Sequence, residues 1–376
     1  MKVLLVDQIS SVTWKYPFSL GNALIEQGNE VFIATDLYTQ QNNFKGKLVP
    51  LFNTDNKEIG KIAKLKNYIS SYKKIIKFIK ENKIDILHLQ WASFSPVDAI
   101  YLKKLSKIVK IVYTIHDVVD FNNHSYDKKY MTKIYNIVDA IIIQTENNIE
   151  LFKKEFSSVD ISKVHLAYHG HFLEYATIKD KEESRKFLNI PNDKFVYMFF
   201  GQIKKIKGVD LLIKAFNEVQ KEYKDTYLVI AGNVWKNSFE GYQKLIDDFG
   251  LKDKIKTDIR FIPDENVDDY FSAADIMCLP YTELYQSGVV QLSYAYKKAA
   301  IVSNLPAFLT VVENDKSGYV FESENYMDLA EKMKKAYLNK DKLGNIAEEG
   351  YKFIEDKYSW KKIACKINEV YKQIIK

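Results

Sequence analysis

The sequence predicts an α/β fold with two doubly wound parallel sheets, and two observations lead to this prediction. Short apolar segments alternate with helix-like segments, an order typical of parallel sheets covered by helices on both faces. The alternation starts again after a polar, charged stretch at residues 176–193. A chain of 376 residues is long enough for two hydrophobic cores. We therefore expect two similar domains joined near this stretch.

The first domain is expected over residues 1–180. Its first two strands, "KVLLVD" and "EVFIAT", are separated by a helix, "PFSLGNALIEQG", that ends at Gly28. Further helices separate the remaining predicted strands, which are "DILHLQ", "KIVYTIH" and "AIIIQT". This succession is that of a doubly wound sheet.

The second domain is expected over residues 190–358, where the same alternation recurs. Its predicted strands are "FVYMFFG", "TYLVIAG", "DIRFIP", "DIMCLPY" and "AAIVSN". The segment "GVDLLIKAFNEVQKEY" predicts a helix after the first of them. Residues 359–376, "SWKKIACKINEVYKQIIK", predict an amphipathic helix with no strand after it, which we expect to pack back toward the first domain.

Composition limits the class of protein. The chain is 47% hydrophobic and 28% charged, as in an ordinary globular protein. Its two cysteines, Cys278 and Cys365, lack the spacing of a metal or redox motif. The first residues turn polar too soon for a signal peptide, and no apolar run approaches the roughly 20 residues that cross a bilayer. We expect a cytoplasmic protein with no nucleic-acid partner.

The positive charge lies in the first half. Residues 1–186 contain 27 basic and 21 acidic residues, whereas the remainder contains 28 of each. Part of the excess lies in residues 64–83, which predict a helix with an apolar face of Ile69, Tyr72, Ile76 and Ile79. The lysines at positions 66, 73, 77 and 80 point elsewhere. Such a helix favours peripheral contact with an anionic membrane, and the alternative is a solvated outer helix.

Two segments that follow predicted strands favour phosphate binding. Ligands of doubly wound sheets bind at the carboxyl ends of the strands, and for two facing domains the expected site is the central cleft. The segment "GQIKKIKG", residues 201–208, places Lys204 and Lys207 before a helix start. Ser287 and Gly288 stand at a second helix start, where a hydroxyl and free N–H groups would bind phosphate oxygens. A plain helix cap is the alternative for Ser287.

Six segments, in order, resemble a known family. They are "TIHDVVDF", "KVHLAYHGHF", "FFGQIKKIKGVDLLIKAF", "YLVIAG", "RFIPDENVDDYFSAADIMCLPY" and "YSWKKIACKINEVY". Together they resemble the large retaining glycosyltransferase family of the GT-B fold (glycosyltransferase family 4-like, group 1), which uses nucleotide-sugar donors. The resemblance covers nearly the whole chain and implies two Rossmann-like domains that face a central cleft.

The resemblance also implies roles for particular residues. His116 is expected at the reacting centre, and Lys207 is expected to stabilise the leaving diphosphate. The residues expected to bind the donor are Gly201, Gln202, Lys204, Lys207, Ile262, Pro263, Tyr281, Ser287, Gly288 and Val289. On the acceptor side we expect Tyr16, in the loop after the first strand, together with Asp117. His88 follows a predicted strand and is also expected on the acceptor side, and the alternative is that it only packs in the core.

The sequence departs from the family pattern at two places. Most members carry two glutamates eight positions apart at the start of the helix that begins here near Ser287 and Gly288. The second glutamate would fall near Leu292, where there is none. Many members carry an arginine where this chain has Gln202. The sequence resembles a subgroup in which "PY", a short loop and "SG" replace the glutamates and in which Lys204 supplies the basic side chain. The sequence therefore lacks the glutamates that make the family's usual contact to the donor sugar.

The expected activity is sugar transfer from a nucleotide-sugar to an acceptor hydroxyl, with retention implied by the resemblance alone. The implied setting is bacterial surface polysaccharide or glycan assembly on a glycan or lipid-linked acceptor, at the inner face of the cell membrane. No D-x-D triplet occurs in the sequence, so we expect neither a metal nor another cofactor. Two alternatives stay open: a nucleotide-sugar epimerase or hydrolase of the same fold, and a non-catalytic glycosyltransferase-like partner protein.

Overall fold

The computed structural model describes residues 1–39, 43–53, 60–118, 125–235, 238–284 and 288–376. The chain divides into two compact units. The first unit comprises Met1–Gly170 and Tyr358–Lys376, and the second comprises His171–Lys357. Each unit contains one parallel sheet flanked by helices, so the prediction of an α/β fold with two doubly wound sheets is confirmed.

The sheet of the first unit has seven parallel strands in the order β3-β2-β1-β4-β5-β6-β7. They are β1 (Lys2–Val6), β2 (Glu30–Asp36), β3 (Lys47–Phe52), β4 (Ile86–Leu89), β5 (Lys110–Ile115), β6 (Ala140–Ile143) and β7 (Val164–Leu166). The interior strands are almost wholly buried, because helices cover both faces.

The described residues of this unit also form the helices that flank the sheet. They are α1 (Ser10–Thr13), α2 (Lys15–Glu26), α3 (Lys61–Asn82), α4 (Ser95–Leu105), α5 (Ser125–Ile137), α6 (Glu146–Glu155) and the C-terminal helix (Trp360–Ile375). Alternate residues of one strand enter two different cores: Leu4 packs with residues of α3 and α4, whereas Leu5 packs with α2 and the C-terminal helix. The chain end is thus part of the first unit.

The sheet of the second unit has six parallel strands in the order β10-β9-β8-β11-β12-β13. They are β8 (Phe195–Phe200), β9 (Thr226–Ala231), β10 (Ile255–Asp258), β11 (Ile276–Leu279), β12 (Ala300–Ser303) and β13 (Tyr319–Phe321). The helices of this unit are α7 (Lys181–Phe187), α8 (Val209–Glu222), α9 (Glu240–Asp248), α10 (Asp264–Ala273), α11 (Gly288–Ala295), α12 (Pro306–Leu309), α13 (Tyr326–Leu338) and α14 (Leu343–Lys357), so the C-terminal helix is α15.

The strand predictions fail at the sheet edges. The segment "DIRFIP" was predicted as a strand, but β10 ends at Asp258 and the residues from Arg260 to Pro263 form a connection. The edge strands β3, β7 and β13 were not predicted, because strands were identified as apolar segments. β7 and β13 have only three residues each, and β3 contains Pro50. Proline is tolerated at a sheet edge, where one side of the strand needs no hydrogen-bond donor.

The polar stretch interpreted as a linker contains helix α7. The Arg185 side chain is buried, pairs with Asp275 at 2.7 Å and donates to the Ala273 carbonyl oxygen at 3.0 Å. These bonds fix α7 in the second unit, whose first residue is His171. Charge patterning suggested a linker here because α7 exposes most of its side chains.

Candidate functional site

The loop after β8, residues 201–208, brings two lysines to the carboxyl edge of the second sheet. Ile203 forms a parallel bridge with Val234, and the chain then makes a 3-10 turn, Lys205–Lys207. Helix α8 begins directly afterwards at Val209. Lysine side chains and the positive end of a helix dipole therefore lie together, as in many phosphate sites.

Two glycines allow close approach of the backbone around this loop. Gly208 has φ +64°, and a Cβ at this position would lie 1.9 Å from the Pro280 carbonyl oxygen. Gly232, with φ +142°, would in the same way place a Cβ 1.9 Å from the Gly201 carbonyl oxygen. The amide N–H of Thr282 donates to the Ile206 carbonyl oxygen at 2.9 Å. The loop is thus fixed against the segments that follow β9 and β11.

Lys207 carries the strongest electrostatic signal of the loop. Its ammonium nitrogen lies 3.6 Å from the centre of the Tyr281 ring. Burial, together with the positive charge of Lys204, lowers the pKa of Lys207 to about 8. The Lys204 ammonium lies 5.6 Å from the centre of the Trp235 ring. Two neighbouring cations that are partly removed from water form a site that favours a bound anion.

Tyr281 supports this arrangement from the core. Its side chain is buried, and its ring centre lies 5.4 Å from that of Phe308. The buried Ser303 hydroxyl donates to the Tyr281 carbonyl oxygen at 2.7 Å. The ring face that Tyr281 turns toward Lys207 is therefore held in place, and it attracts the ammonium group.

The start of helix α11 lies beside the same loop. A Cγ atom of Val289 lies 3.8 Å from the position that a Cβ on Gly201 would take, and the Phe172 ring lies 3.4 Å from the corresponding position on Gly288. Gly288 is exposed and is the first residue of the helix. Ser287 lies outside the described residues. Gln202 is half-buried within the loop.

Ile262 and Pro263 occupy the connection between β10 and α10. Ile262 is buried, and Pro263 directly precedes the first residue of α10. Next to them Asp258 accepts hydrogen bonds from Arg260 at 2.8 Å and from the Tyr270 hydroxyl. These bonds fix the connection at the carboxyl edge of the sheet.

In the first unit, three neighbouring strands end in polar side chains. Gln90 follows β4, His116 follows β5, and Gln144 follows β6. The His116 Nε2 atom lies 3.2 Å from the Gln90 amide oxygen. Because β4, β5 and β6 are adjacent in the sheet, these three side chains lie along one edge.

His116 is surrounded by aromatic rings. The Trp91 ring stacks on it with centres 4.6 Å apart, and the Tyr16 ring meets it edge-on at 4.9 Å. Burial lowers the pKa of His116 to about 3, and the neighbouring His169 and His88 act in the same direction. The imidazole is therefore neutral at physiological pH, so that one ring nitrogen donates a hydrogen bond and the other accepts one.

Tyr16 was predicted in the loop after the first strand, and this location is wrong. The residue lies in helix α2, and its ring packs 4.8 Å from His169 and 5.3 Å from Trp360, measured between ring centres. Its hydroxyl group is buried beside Gln144, and burial raises the pKa of Tyr16 to about 12. Tyr16 therefore packs against the His116 ring and does not offer a hydroxyl to an acceptor.

The acceptor-side prediction for His88 is also wrong. His88 is completely buried, and its two ring nitrogens lie 2.6 Å from the Tyr371 hydroxyl and 2.7 Å from the Thr114 hydroxyl. With both nitrogens bonded inside the core, the side chain holds β4 and β5 to helix α15. Asp117 is exposed directly after His116.

Several residues beside these sites escaped the sequence analysis. They are Gln90, Trp91, Gln144, Trp235 and Phe261. Gln90 and Gln144 directly follow interior strands, so the rule that singled out His116 would have found them; Trp91 is one residue further along. Trp235 lies in the segment after β9, and Phe261 lies in the segment after β10. Their side chains are 45% and 70% exposed, which is unusual for large aromatic side chains.

The described ranges contain no group of three or more His, Cys, Asp or Glu side chains placed to hold a metal ion. Nor does any described helix have the length and apolar composition needed to cross a membrane. The expectation that no metal or other cofactor takes part stays a prediction.

Comparisons with known proteins agree with this architecture. Residues 15–174 match the family model "Glycosyltransferase Family 4", and residues 180–353 match "Glycosyl transferases group 1". The chain aligns with the structure of Anabaena HepE in complex with UDP-glucose, with a TM-score of 0.75 at 15% identity and coverage of 99% of this chain and 100% of that one. The fold is therefore that of the GT-B glycosyltransferases.

Two relatives align with only part of this chain. Spore coat protein SA of Bacillus subtilis is 24% identical over 229 residues, which cover 59% of this chain and 58% of that protein. The capsular polysaccharide biosynthesis glycosyltransferase CapM of Staphylococcus aureus is 23% identical over 209 residues, or 55% of this chain and 54% of that protein. The chain thus spans little more than half the length of these relatives. The two family models together cover most of this chain, each matching less than half of it, so the chain is similar to the group 1 and family 4 glycosyltransferases.

Proposed function

We propose that this protein transfers a sugar from a nucleotide-sugar donor to an acceptor hydroxyl with retention of anomeric configuration. The observation that carries the proposal is the 201–208 loop, which holds Lys207 and Lys204 beside two helix starts. A solved structure of the same fold contains UDP-glucose, which supports a nucleotide-sugar as the donor. Kinship with a capsular polysaccharide enzyme supports assembly of a surface polysaccharide or glycan as the setting.

In the proposed reaction the second unit binds the donor diphosphate. Cleavage of the bond to the anomeric carbon develops negative charge on the leaving phosphate, which must be stabilised. Lys207 and Lys204 supply positive charge, and the starts of α8 and α11 supply N–H groups and positive dipole ends. Because Lys207 is already partly desolvated, little water has to be reorganised when the diphosphate binds.

His116 acts in this proposal as a neutral imidazole on the acceptor side. Its low pKa means that it does not carry a positive charge near pH 7. It therefore orients a hydroxyl group of the sugar or the acceptor through a hydrogen bond and does not deliver a proton as an imidazolium ion. Gln90 and the stacked Trp91 fix the plane of its ring.

Donor binding is proposed to proceed without the glutamate pair found in most of the family. Glu283, the carboxylate that precedes Ser287 most closely, is exposed. We expect Ser287, Gly288 and Val289 to contact the donor through the hydroxyl and the backbone N–H groups of the helix start. This would place the chain in the subgroup in which "SG" replaces the glutamates.

Thermal unfolding in the presence of nucleoside diphosphates and nucleotide-sugars tests the proposal. A ligand present at 100 times its dissociation constant raises the free energy of unfolding by about 2.7 kcal/mol, so its transition moves to higher temperature. We expect one nucleotide to give the largest shift and the Lys207→Gln variant to lose most of it. If every nucleotide leaves the transition in place, the non-catalytic alternative is favoured.

Removal of metal ions is expected to leave sugar transfer unchanged. The positive charge at the proposed donor site comes from Lys204, Lys207 and helix ends, and no D-x-D triplet is present in the sequence. Initial rates measured with excess EDTA should match those measured without it. Loss of activity on adding EDTA, reversed by Mg²⁺ or Mn²⁺, would show that a metal site had been missed.

We further propose that helix α3 rests on an anionic membrane surface. The lysines at positions 66, 73, 77 and 80 are exposed, while Tyr72 and Ile79 on the opposite face are buried. Near the start of the helix, Ile62 and Leu65 are 74% and 38% exposed. Exposed lysines beside exposed aliphatic side chains suit the boundary between lipid headgroups and acyl chains.

Replacement of Lys66, Lys73, Lys77 and Lys80 by glutamine should weaken binding to vesicles containing anionic lipid by about tenfold or more, because each lysine near such a surface contributes about 1 kcal/mol. Co-sedimentation with vesicles measures this. The matched control replaces four exposed lysines of the second unit, at positions 224, 244, 252 and 352. Equal binding by both variants would mean that α3 is a solvated outer helix that does not contact the membrane.

A further inference from the structure

A second group of lysines lies at the amino ends of the strands of the second sheet, opposite the carboxyl ends that carry the 201–208 loop. A cavity of about 380 Å³ is lined by residues that precede β11 and β12 or begin β8, together with the start of α7, the first residues of α14 and the turn before α14. The loop 201–208 follows β8, so it lies at the other end of the same strands. The charged residues that line the cavity are Lys181, Lys297, Lys298, Lys340, Asp275 and Asp341.

Lys298 is the most deeply placed of these cations. Its ammonium group donates to the carbonyl oxygens of Ala274 at 2.7 Å and Ser272 at 3.2 Å, at the end of helix α10. Burial lowers the pKa of Lys298 to about 8, against an opposing effect of Asp275. The carbonyl oxygens only partly replace the water lost by this charge.

The carboxylates of the cavity are already engaged or outnumbered. Asp275 accepts hydrogen bonds from Lys181 at 2.5 Å, from Arg185 at 2.7 Å and from the Val196 amide at 2.6 Å. Four lysines and two aspartates therefore leave the lining with an excess of positive charge. The 3-10 turn Lys340–Lys342 runs directly into α14, and the first residues of this 15-residue helix also line the cavity. The helix dipole adds to the positive potential.

Lys297 contributes from a strained position. It follows helix α11 with φ +54°, a left-handed conformation that glycine would adopt at lower cost. Its ammonium group pairs with Glu348 at 2.6 Å and lies 3.2 Å from the centre of the Tyr351 ring. The side chain is thus held at the rim of the cavity.

We propose that this cavity binds a small phosphate-bearing anion, separately from the proposed donor site. Its volume lies in the range of small-molecule pockets, and an excess of two positive charges matches a phosphate dianion or a diphosphate. The lysines come from three separate segments and converge on a concave site, which favours a compact ligand over an extended polyanion. Because the cavity and the 201–208 loop share β8 and β11, ligand bound at one edge is adjacent to elements that carry the other.

Calorimetric titration with inorganic pyrophosphate tests the proposal, in a Lys204→Gln/Lys207→Gln background that removes the lysines of the donor loop. We expect this protein to retain one binding event, and the added pair Lys297→Gln/Lys340→Gln to weaken it by about tenfold or more, as for two lost charge-assisted contacts. The matched control adds Lys224→Gln/Lys252→Gln, which removes the same charge from exposed positions of the same unit. Ionic strength is held constant.

Loss of all pyrophosphate binding in the folded background protein would overturn the proposal, and so would equal weakening by the control pair. A second measurement uses the unaltered chain. Pyridoxal 5′-phosphate condenses with lysine amines next to phosphate sites, and after borohydride reduction peptide mapping locates the label. We expect label on Lys297 or Lys298 that excess pyrophosphate suppresses. Label there that pyrophosphate leaves unchanged, or its absence, contradicts the proposed site.

Discussion

His116→Ala should lower the turnover number by about 100-fold while leaving donor affinity nearly unchanged. The expected loss is typical of removing one hydrogen-bonding group that is positioned for the transition state. Donor affinity should be retained because the proposed donor contacts, Lys204 and Lys207, belong to the second unit. Steady-state rates and calorimetric titration with the nucleotide measure the two effects separately.

The low pKa of His116 sharpens this test. A histidine with a pKa of about 3 is neutral from pH 5 upward, so its own titration should produce no acid limb in the rate profile near pH 6.5. His116→Gln retains a hydrogen-bonding side chain and should recover part of the lost rate. His165→Ala, at edge strand β7, is the matched control and should keep the parent rate. Abolished donor binding in His116→Ala would invert the assignment of donor and acceptor sides.

The interior of each sheet was predictable from sequence, because strands buried on both faces are continuous apolar runs. The edge strands were not. Residues 47–52 contain Pro50, and only Phe52 among them is buried; β13 is three residues long. Neither segment therefore gives an apolar run that stands out from the surrounding sequence. Edge strands are recognised by their partners, and those partners are distant in the sequence.

The candidate site divides in the same way. Gly201 and His116 were predictable because each directly follows an interior strand, and this position alone brings a residue to the carboxyl edge. The environment of His88 was not, since its partner Tyr371 lies 283 residues further along the chain. Tyr16 was misplaced because helix α2 begins at Lys15, two residues before the predicted start at Pro17, without a capping side chain that would mark its start.

Lys207 should make donor binding depend on pH above neutrality. Its pKa of about 8 in the free protein means that it is mostly protonated at pH 7 and mostly neutral at pH 9. A bound diphosphate favours the protonated form and raises this pKa, so affinity is highest below pH 8 and falls as pH rises through 8. We expect the dissociation constant of the best nucleoside diphosphate to increase about tenfold between pH 7 and pH 9.

Lys207→Gln separates this effect from a general loss of charge. At pH 7 the variant should bind the nucleoside diphosphate with about 2 kcal/mol less free energy, or roughly 30-fold more weakly, as expected for a lost charge-assisted contact. Its dissociation constant should then stay constant from pH 7 to pH 9. Lys205→Gln removes the same charge from the exposed neighbour in the same turn and should keep the parent pH dependence. A flat profile in the parent protein, or one that survives in Lys207→Gln, would mean that the Lys207 ammonium does not contact the donor phosphates.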